Sequence, residues 1–414
     1  MPRKNTSKFP KGYVTLLAEA VVVVGGIATV TFCAVKNEWL GKPVATTVTV
    51  MESQARKTTS TTTTTTTTAR VAVATENVAG VPSAVSLGFN NADQVVSDGN
   101  GTNVIWVENG KVTLATRGEN GSVETTTVLD QGAITLPAIA RDGDLVAFGW
   151  TERVGADQQI NIGTSLDDGT TVAWKNMGTG NGLSLAASDG QIAAVWHEGD
   201  EDATAKVLFS KFNGTSWSTP IRIDSVPSGK AAVWASVDIK GNNALVTWRD
   251  NRDGNFTVWM RRSTDGGATW LSDQHIATKT SGDPVGCYGD NGNVWIAHHG
   301  LGKISLLRST DNGASFGQPV EAGRGYFAHL NCRNNVVVGW EDIIGRHTDP
   351  NKKAGYAVYT SEGVKITSGA IEDGSVAATT VYISPDEKTV EILWLKTDTT
   401  PLVGTLRHQV LSLE

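Results

Sequence analysis

From about residue 81 onward, the apolar positions fall in short runs of four to six residues, and most runs close on a tryptophan followed by a polar residue. The runs are NVIWVE at Trp106, VAFGWTE at Trp150, AAVWHE at Trp196, ALVTWRD at Trp248, VVVGWED at Trp340 and EILWLK at Trp394. A further unit, NVWIAHH, carries His298 at the tryptophan position, and successive marks stand 42 to 54 residues apart. Such runs, bounded by Gly, Asn and Asp, predict strands joined by tight turns. A repeat of this length with several strands per unit matches one four-stranded blade of a β-propeller. One twisted sheet cannot bury both of its faces, but sheets stacked around an axis can. Residues 81–414 are therefore expected to form an all-β propeller of seven four-stranded blades. A six-blade ring with an extra sheet also fits, because the first and last units are the least regular.

A second repeated element is more specific. RSTDGGATW (Arg262 to Trp270) and RSTDNGASF (Arg308 to Phe316) share the pattern Ser-x-Asp-x-Gly-x-Ser/Thr-aromatic. SLDDGTTV (Ser165 to Val172) lacks the aromatic residue, and SKFNGTSW (Ser210 to Trp217) lacks the aspartate. The pattern resembles the Asp-box, or BNR repeat, of sialidase-like β-propellers. Its physics is that of a tight reversal. Gly267 or Gly313 supplies an unusual backbone angle, while Ser263 and Asp265, or Ser309 and Asp311, bind turn N–H groups. Trp270 or Phe316 then folds onto the blade. The resemblance implies that these turns join the third and fourth strands, on the face opposite the ligand site, and that they are structural.

The N-terminal part reads differently. Residues 1–12 carry four basic residues and no acid, and residues 13–35 (YVTLLAEAVVVVGGIATVTFCAV) are almost wholly apolar. As a helix, that segment is long enough to cross a bilayer, and the basic flank would keep the N-terminus in the cytoplasm and put the body outside. A retained anchor and a cleaved signal peptide are alternatives. A third is a leader ending at Lys11-Gly12 ahead of an apolar helix with Glu19, which resembles a type IV pilin-like segment and implies a homo-oligomer or filament built on that helix. Residues 36–80 include KTTSTTTTTTTTAR, which has nothing to bury and reads as a stalk.

Charge sharpens the division. Residues 1–80 carry a surplus of basic residues, and the remainder of the 414-residue chain is acidic enough to bring the whole to −7. An acidic body argues against nucleic acid as a partner. Cys33 lies in the apolar segment. Cys287 and Cys332 lie in neighbouring units, where they form a disulfide if the body is extracellular, or stay as two buried thiols. Sequons at Asn100, Asn120, Asn213 and Asn255 fit an exterior surface.

Candidate chemistry sits just past the recurrent tryptophans, where the resemblance places the loops around the channel mouth. Those positions are Glu108, Glu152, Glu198, Asp250 and Asp342, with Gly300 and Lys396 in the irregular units and Arg252 close by. Converging carboxylates could hold Ca²⁺ through oxygen ligands or bind sugar hydroxyls; a solvated acidic loop face is the plain alternative. The longest loops, 197–204 and 341–353, and His197, His298, His299 and His347 fall near the same face, without metal-ligand spacing. No cofactor is called for. Sialidases carry an Arg-Ile-Pro motif, an arginine triad and a Tyr–Glu pair. Here Arg-Ile-Pro is absent, TPIRID at Thr219 to Asp224 has other order, and no triad or pair can be assigned. The expected function is a membrane-anchored, surface-displayed module that binds a glycan or a surface protein. A pilin-like filament subunit with a propeller head and a divergent sialidase-like glycoside hydrolase or lyase are the alternatives.

Overall fold

The computed structural model describes residues 133–169, 171–277, 282–342, 353–371, 376–399 and 403–413, together with the shorter upstream stretches 16–24, 27–34, 45–51, 74–77, 85–86, 95–98, 103–108, 111–117 and 123–129. All regular elements among them are strands. The chain divides into two compact units, residues 1–67 and 68–414.

The second unit is built from sheets that follow one another along the chain, each with its strands in sequence order. Sheet I comprises Val95–Ser97, Asn103–Glu108, Lys111–Arg117 and Val123–Leu129. Sheet II comprises Ala133–Asp142, Leu145–Val154, Asp157–Ser165 and Ala173–Thr179. Sheet III comprises Asn181–Ser188, Gln191–Glu198, Lys206–Phe212 and Ile221–Arg222, and sheet IV Ala232–Lys240, Asn243–Asp250, Thr257–Ser263 and Gln274–Ala277. Sheet V comprises Gly282–Tyr288, Val294–Gly300, Lys303–Ser309 and Val320–Arg324, and sheet VI Tyr326–Cys332, Asn335–Asp342, Lys353–Thr360 and Lys365–Ile371. These six are four-stranded and antiparallel. Sheet VII is five-stranded. Val376–Ile383, Thr389–Thr399 and Val403–Ser412 are joined at the edge by Ala74–Asn77, and Val85–Ser86 also pairs with the third strand. The expected linker 36–80 thus ends earlier, because its last residues supply an outer strand to the final sheet.

The first strand of each sheet lies against the first strand of the next, from sheet I through sheet VII, and that of sheet VII returns to sheet I. The core lies between sheets. One cluster joins Leu145, Ala147, Ile160 and Ile162 of sheet II to Leu183, Ile192 and Trp196 of sheet III. Another joins Val195, Val207 and Phe209 of sheet III to Val237, Val246 and Trp248 of sheet IV. Trp196, Trp248 and Trp394 are at most 1 % exposed, so each burial removes enough apolar area to be worth about 4–6 kcal/mol before ordering costs. Such close seating requires glycine beside the ring. A Cβ on Gly180 would lie 2.3 Å from Trp196 Cδ1, and one on Gly325 would lie 2.4 Å from Trp340 Cδ1.

Polar clips keep neighbouring sheets in register on the face that carries the turns between first and second strands. Asp142 accepts from Gly190 N–H at 2.6 Å and Asp189 from Gly241 N–H at 2.9 Å. Lys240 donates to Gly289 O at 2.9 Å, and Arg333 donates to Ile383 O at 3.1 Å. Cys287 of sheet V and Cys332 of sheet VI are joined by a disulfide between adjacent first strands.

In the N-terminal unit, Leu16–Val24, Ile27–Ala34 and Ala45–Met51 form a three-stranded antiparallel sheet. Within the segment expected as a helix, 13–35, the described backbone is therefore strand. Val24 pairs with Ile27. The Val, Ile and Thr residues of these strands favour a pleated backbone. Among the described residues no helix is long and apolar enough to cross a membrane. Residues 1–12 and the threonine tract lie outside the described residues.

The disulfide closes a 45-residue separation, for which reduction is expected to cost about 2–4 kcal/mol of stability. Urea unfolding with and without reductant measures it: the midpoint should drop on reduction and in Cys287→Ser with Cys332→Ser. An unchanged midpoint would count against a constraining bridge.

Candidate functional site

The ladders between first and second strands slip at the same place in five successive sheets. The shifts fall between Thr135 and Ala138, Asn181 and Ser184, Val233 and Ser236, Gly282 and Val285, and Tyr326 and His329. Each is a bulge that inserts one extra residue and re-aims the side chains beside it. In four of them a bulge residue has a left-handed backbone: Gly182 at φ 66°, Trp234 at 52°, Asp283 at 38° and Phe327 at 48°. For a non-glycine residue this costs about 1–3 kcal/mol, and such strain concentrates at ligand sites. These four residues line one axial cavity of about 200 Å³, together with Pro137, Ser236 and His329.

Beside the bulges stands the residue that follows the tryptophan position of each second strand: Thr151, His197, Arg249, His299 and Glu341. His197 is 1 % exposed. Its Nδ1 accepts from Trp234 N–H at 3.4 Å, its ring lies 5.4 Å from that of Trp234, and its Nε2 meets Glu201 at 3.1 Å. Arg249 pairs with Asp283 at 3.3 Å and lies over the Phe256 ring. His299 packs edge-on against Tyr326 at 5.1 Å and Phe327 at 5.8 Å, and its buried Nδ1 has no hydrogen-bond partner. Burial holds His299 below the ordinary imidazole range, so the ring is neutral at pH 7 and can accept or donate a proton. Glu341 is fully buried on the strand beside His329.

Among the described residues, the acids expected at the mouth do not line the axial cavity, and Glu198 lines a separate groove. Asp250 is completely buried and accepts from Trp248 Nε1 at 2.9 Å. Arg252 bridges Asp250 at 2.7 Å to Asp273 at 2.8 Å and lies 3.8 Å over the Trp259 ring. Both belong to a clamp within sheet IV. Glu152 accepts from Asn161 at 2.8 Å. Glu198 is held by Thr179 at 2.5 Å and by Lys206 at 3.0 Å, which lower its pKa. The side chains of Glu108 and Asp342, and all of His347, lie outside the described residues. Adjacent strand residues point to opposite faces, and a set read one position late misses the bulges. The signal that could have found the site was the polar residue directly after the marker position in the five bulged units, at Thr151, His197, Arg249, His299 and Glu341. Among the described residues no three His, Cys, Asp or Glu side chains are grouped to hold a metal ion.

The opposite face carries the repeated turns, between third and fourth strands. Ser263 Oγ donates to Asp265 at 2.7 Å and accepts from Gly267 N–H at 2.8 Å, and Asp265 accepts from Thr269 N–H at 2.8 Å. Ser309, Asp311, Gly313 and Ser315 repeat the arrangement, as do Ser165, Asp167, Gly169 and Thr171 despite the missing aromatic residue. Hydrogen bonds from Thr269 and Ser263 lower the Asp265 pKa to about 2. Trp270 packs edge-on against Phe209 of the preceding sheet at 5.0 Å, and Phe316 against the cluster at Leu245 and Met260. The Arg262 that opens one box donates to Asn312 O of the next at 3.0 Å.

No protein-family profile matches this chain, and no curated protein does. Solved structures do. The polysaccharide lyase Uly1 superposes with a TM-score of 0.52 at 9 % identity, over 82 % of this chain and 94 % of that one. The fold is a β-propeller. A Trypanosoma rangeli sialidase in complex with the inhibitor DANA has a TM-score of 0.47 at 13 % identity, over 71 % of this chain and 57 % of that one. A Penicillium chrysogenum α-L-arabinanase complexed with arabinobiose has 0.48 at 10 %, over 82 % and 99 %. The chain thus spans less than two thirds of the sialidase. The expected likeness to sialidases appears in these structures as a likeness of fold, and these neighbours act on glycans.

Burial holds His298, His299 and His329 below the ordinary imidazole range. The unfolded chain therefore binds more protons below about pH 6.5, and stability rises with pH through that region. The contribution is complete above about pH 6.5 and is lost as pH falls. Urea midpoints should be lower at about pH 5 than at about pH 7.5, and His299→Gln should flatten the difference. The turn aspartates titrate at lower pH and do not overlap this window; buried Asp238, pushed up to about 6, opposes the histidines between about pH 4 and 6, so the comparison of wild type with His299→Gln isolates the imidazole part.

Proposed function

We propose that this protein is a carbohydrate-binding β-propeller whose ligand seats at the axial mouth formed by the bulged first strands. The observation that carries this reading is the strain at Trp234, Asp283 and Phe327, which turns two aromatic rings and a carboxylate into one cavity. Aromatic faces receive the C–H faces of sugars, and the Arg249–Asp283 pair offers hydrogen-bond donors and acceptors without net charge. The acidic body favours neutral sugars over polyanions. We count sheet VII as a seventh blade, since its first strand lies between those of sheets VI and I.

A second reading, glycan cleavage by a hydrolase or lyase, is favoured by neutral His299 beside Tyr326 and the Arg249–Asp283 pair. These are groups that can exchange protons and bind an anion. The polysaccharide lyase named above shares the fold. Among the described residues no arginine lines the axial cavity, and Arg249 beside it is paired with Asp283, which supports binding over a carboxylate-clamping triad. The inter-sheet disulfide supports an oxidising, extracytoplasmic location, with the apolar segment 13–35 as a membrane tether and the threonine tract as a stalk. Identification of the first residue of the mature protein tests the tether: Met1 supports an anchor and Tyr13 a processed filament subunit.

Glycan-array binding and calorimetry on the full chain test the mouth. Trp234→Ala should weaken binding about tenfold or more, the loss of a well-packed aromatic contact. Asp265→Ala, on the opposite face, should leave affinity unchanged. Equal affinity in wild type and Trp234→Ala would overturn the assignment, and release of new sugar ends by the purified protein would replace binding with catalysis.

A further inference from the structure

A second cavity opens on the same face, between the loops of sheets II and III. It holds about 810 Å³, several times the axial cavity, and its lining is polar, including Arg153, Gln158, Asn181, Glu198, Glu201 and Lys206. Arg153 and Glu198 stand at the ends of second strands, Gln158 and Lys206 at the starts of third strands, Asn181 at the start of a first strand and Glu201 in the loop between Glu198 and Lys206, so all stand at the mouth end of the propeller.

The two cavities share a wall. Asn181 lines the groove and its neighbour Gly182 lines the axial cavity. His197 is the partition: one ring nitrogen faces Trp234 at the axis and the other faces Glu201 in the groove. With Nδ1 accepting from the Trp234 N–H, the ring's other nitrogen is the one turned to Glu201, and an N–H on Nε2 would donate to that carboxylate.

The groove's acceptors are held in place. Glu201 is bound by His197 at 3.1 Å and by Asn181 at 3.2 Å, and Glu198 by Thr179 and Lys206. These hydrogen bonds lower both carboxyl pKa values. Oriented carboxylates beside an amide, an ammonium and a guanidinium match vicinal hydroxyls, which donate and accept at once. Both signs of charge are present, as suits an uncharged ligand, and the groove's polar lining complements the aromatic rings at the axis.

We propose that this groove is a further saccharide subsite continuous with the mouth, so that the ligand is a neutral oligosaccharide running from the axis across His197 to the rim between sheets II and III. The inference rests on the mouth being a carbohydrate site. One sugar stacks at Trp234 and Phe327, and the following residues hydrogen-bond along Asn181, Glu201 and Glu198. Linking two subsites raises affinity without new contacts at either one.

The test is calorimetry on the full chain with arabino-, xylo- and cello-oligosaccharides, from mono- to pentasaccharide. In the series that binds, affinity should rise about tenfold or more between mono- and trisaccharide and then level off. Lys206→Met and Gln158→Ala should reduce that gain several-fold and act far less on the monosaccharide. Trp234→Ala should weaken every length. Monosaccharide binding with no length dependence, or groove variants that weaken all lengths equally, would overturn the groove and leave the mouth standing. Failure of all three series to bind would overturn both.

Discussion

A strand row that is apolar on both faces cannot stand alone in water, and this one requirement organises the molecule. The second strands carry Trp196, Trp248 and Trp394 into interfaces where almost nothing of them is exposed. Each sheet supplies half of two cores, as Trp196 does between sheets II and III and Trp248 between sheets III and IV. No sheet keeps its core without both neighbours, so the arrangement must close, and Ala74–Asn77 returns from the start of the unit to pair with the last long strand. That pairing takes away a free edge.

Closure by apolar packing does not fix the angle or register of one sheet on the next; directional contacts do. They are gathered on one face. Asp142, Asp189, Lys240 and Arg333 each reach the backbone of the following sheet, and the boxes are tied sheet to sheet by Arg262. With that face holding the register, the first strands can carry bulges and left-handed residues at the other end. The stability of one end sustains the strain of the other, which is how a rigid scaffold comes to present Trp234, Asp283 and Phe327 in conformations that a free chain would leave.

The same division explains the charges. Asp250 and Arg252 read as site residues because they are charged and follow a tryptophan, yet Trp248 Nε1 and Asp273 consume them inside sheet IV. Asp265 and Asp311 read as structural, and their hydrogen bonds are those of a turn. Charge alone does not separate the two cases. What separates them is whether a donor stands within reach, and that depends on residues far away in the chain.

The sequence by itself determined the repeat, the strand-rich body and the turns at Ser263 to Trp270 and Ser309 to Phe316. Each of these is local or periodic, carried by residues within one unit and repeated in the next. For Cys287 and Cys332 the sequence left a disulfide and two thiols open, and the structure joins them. Only the tertiary structure decided the site. The bulges at Trp234, Asp283 and Phe327 arise where two strands slip by a residue, and a slip of one exchanges the two faces of a strand. The mouth is therefore lined beside His197, Arg249 and His299, one position ahead of Glu198, Asp250 and Gly300. An apolar run of β-branched residues such as 13–35 is compatible by length with a helix and by propensity with strands, so its periodicity alone does not choose between them. Periodicity reveals what repeats, and the pocket is made of what differs between repeats at the point where they converge.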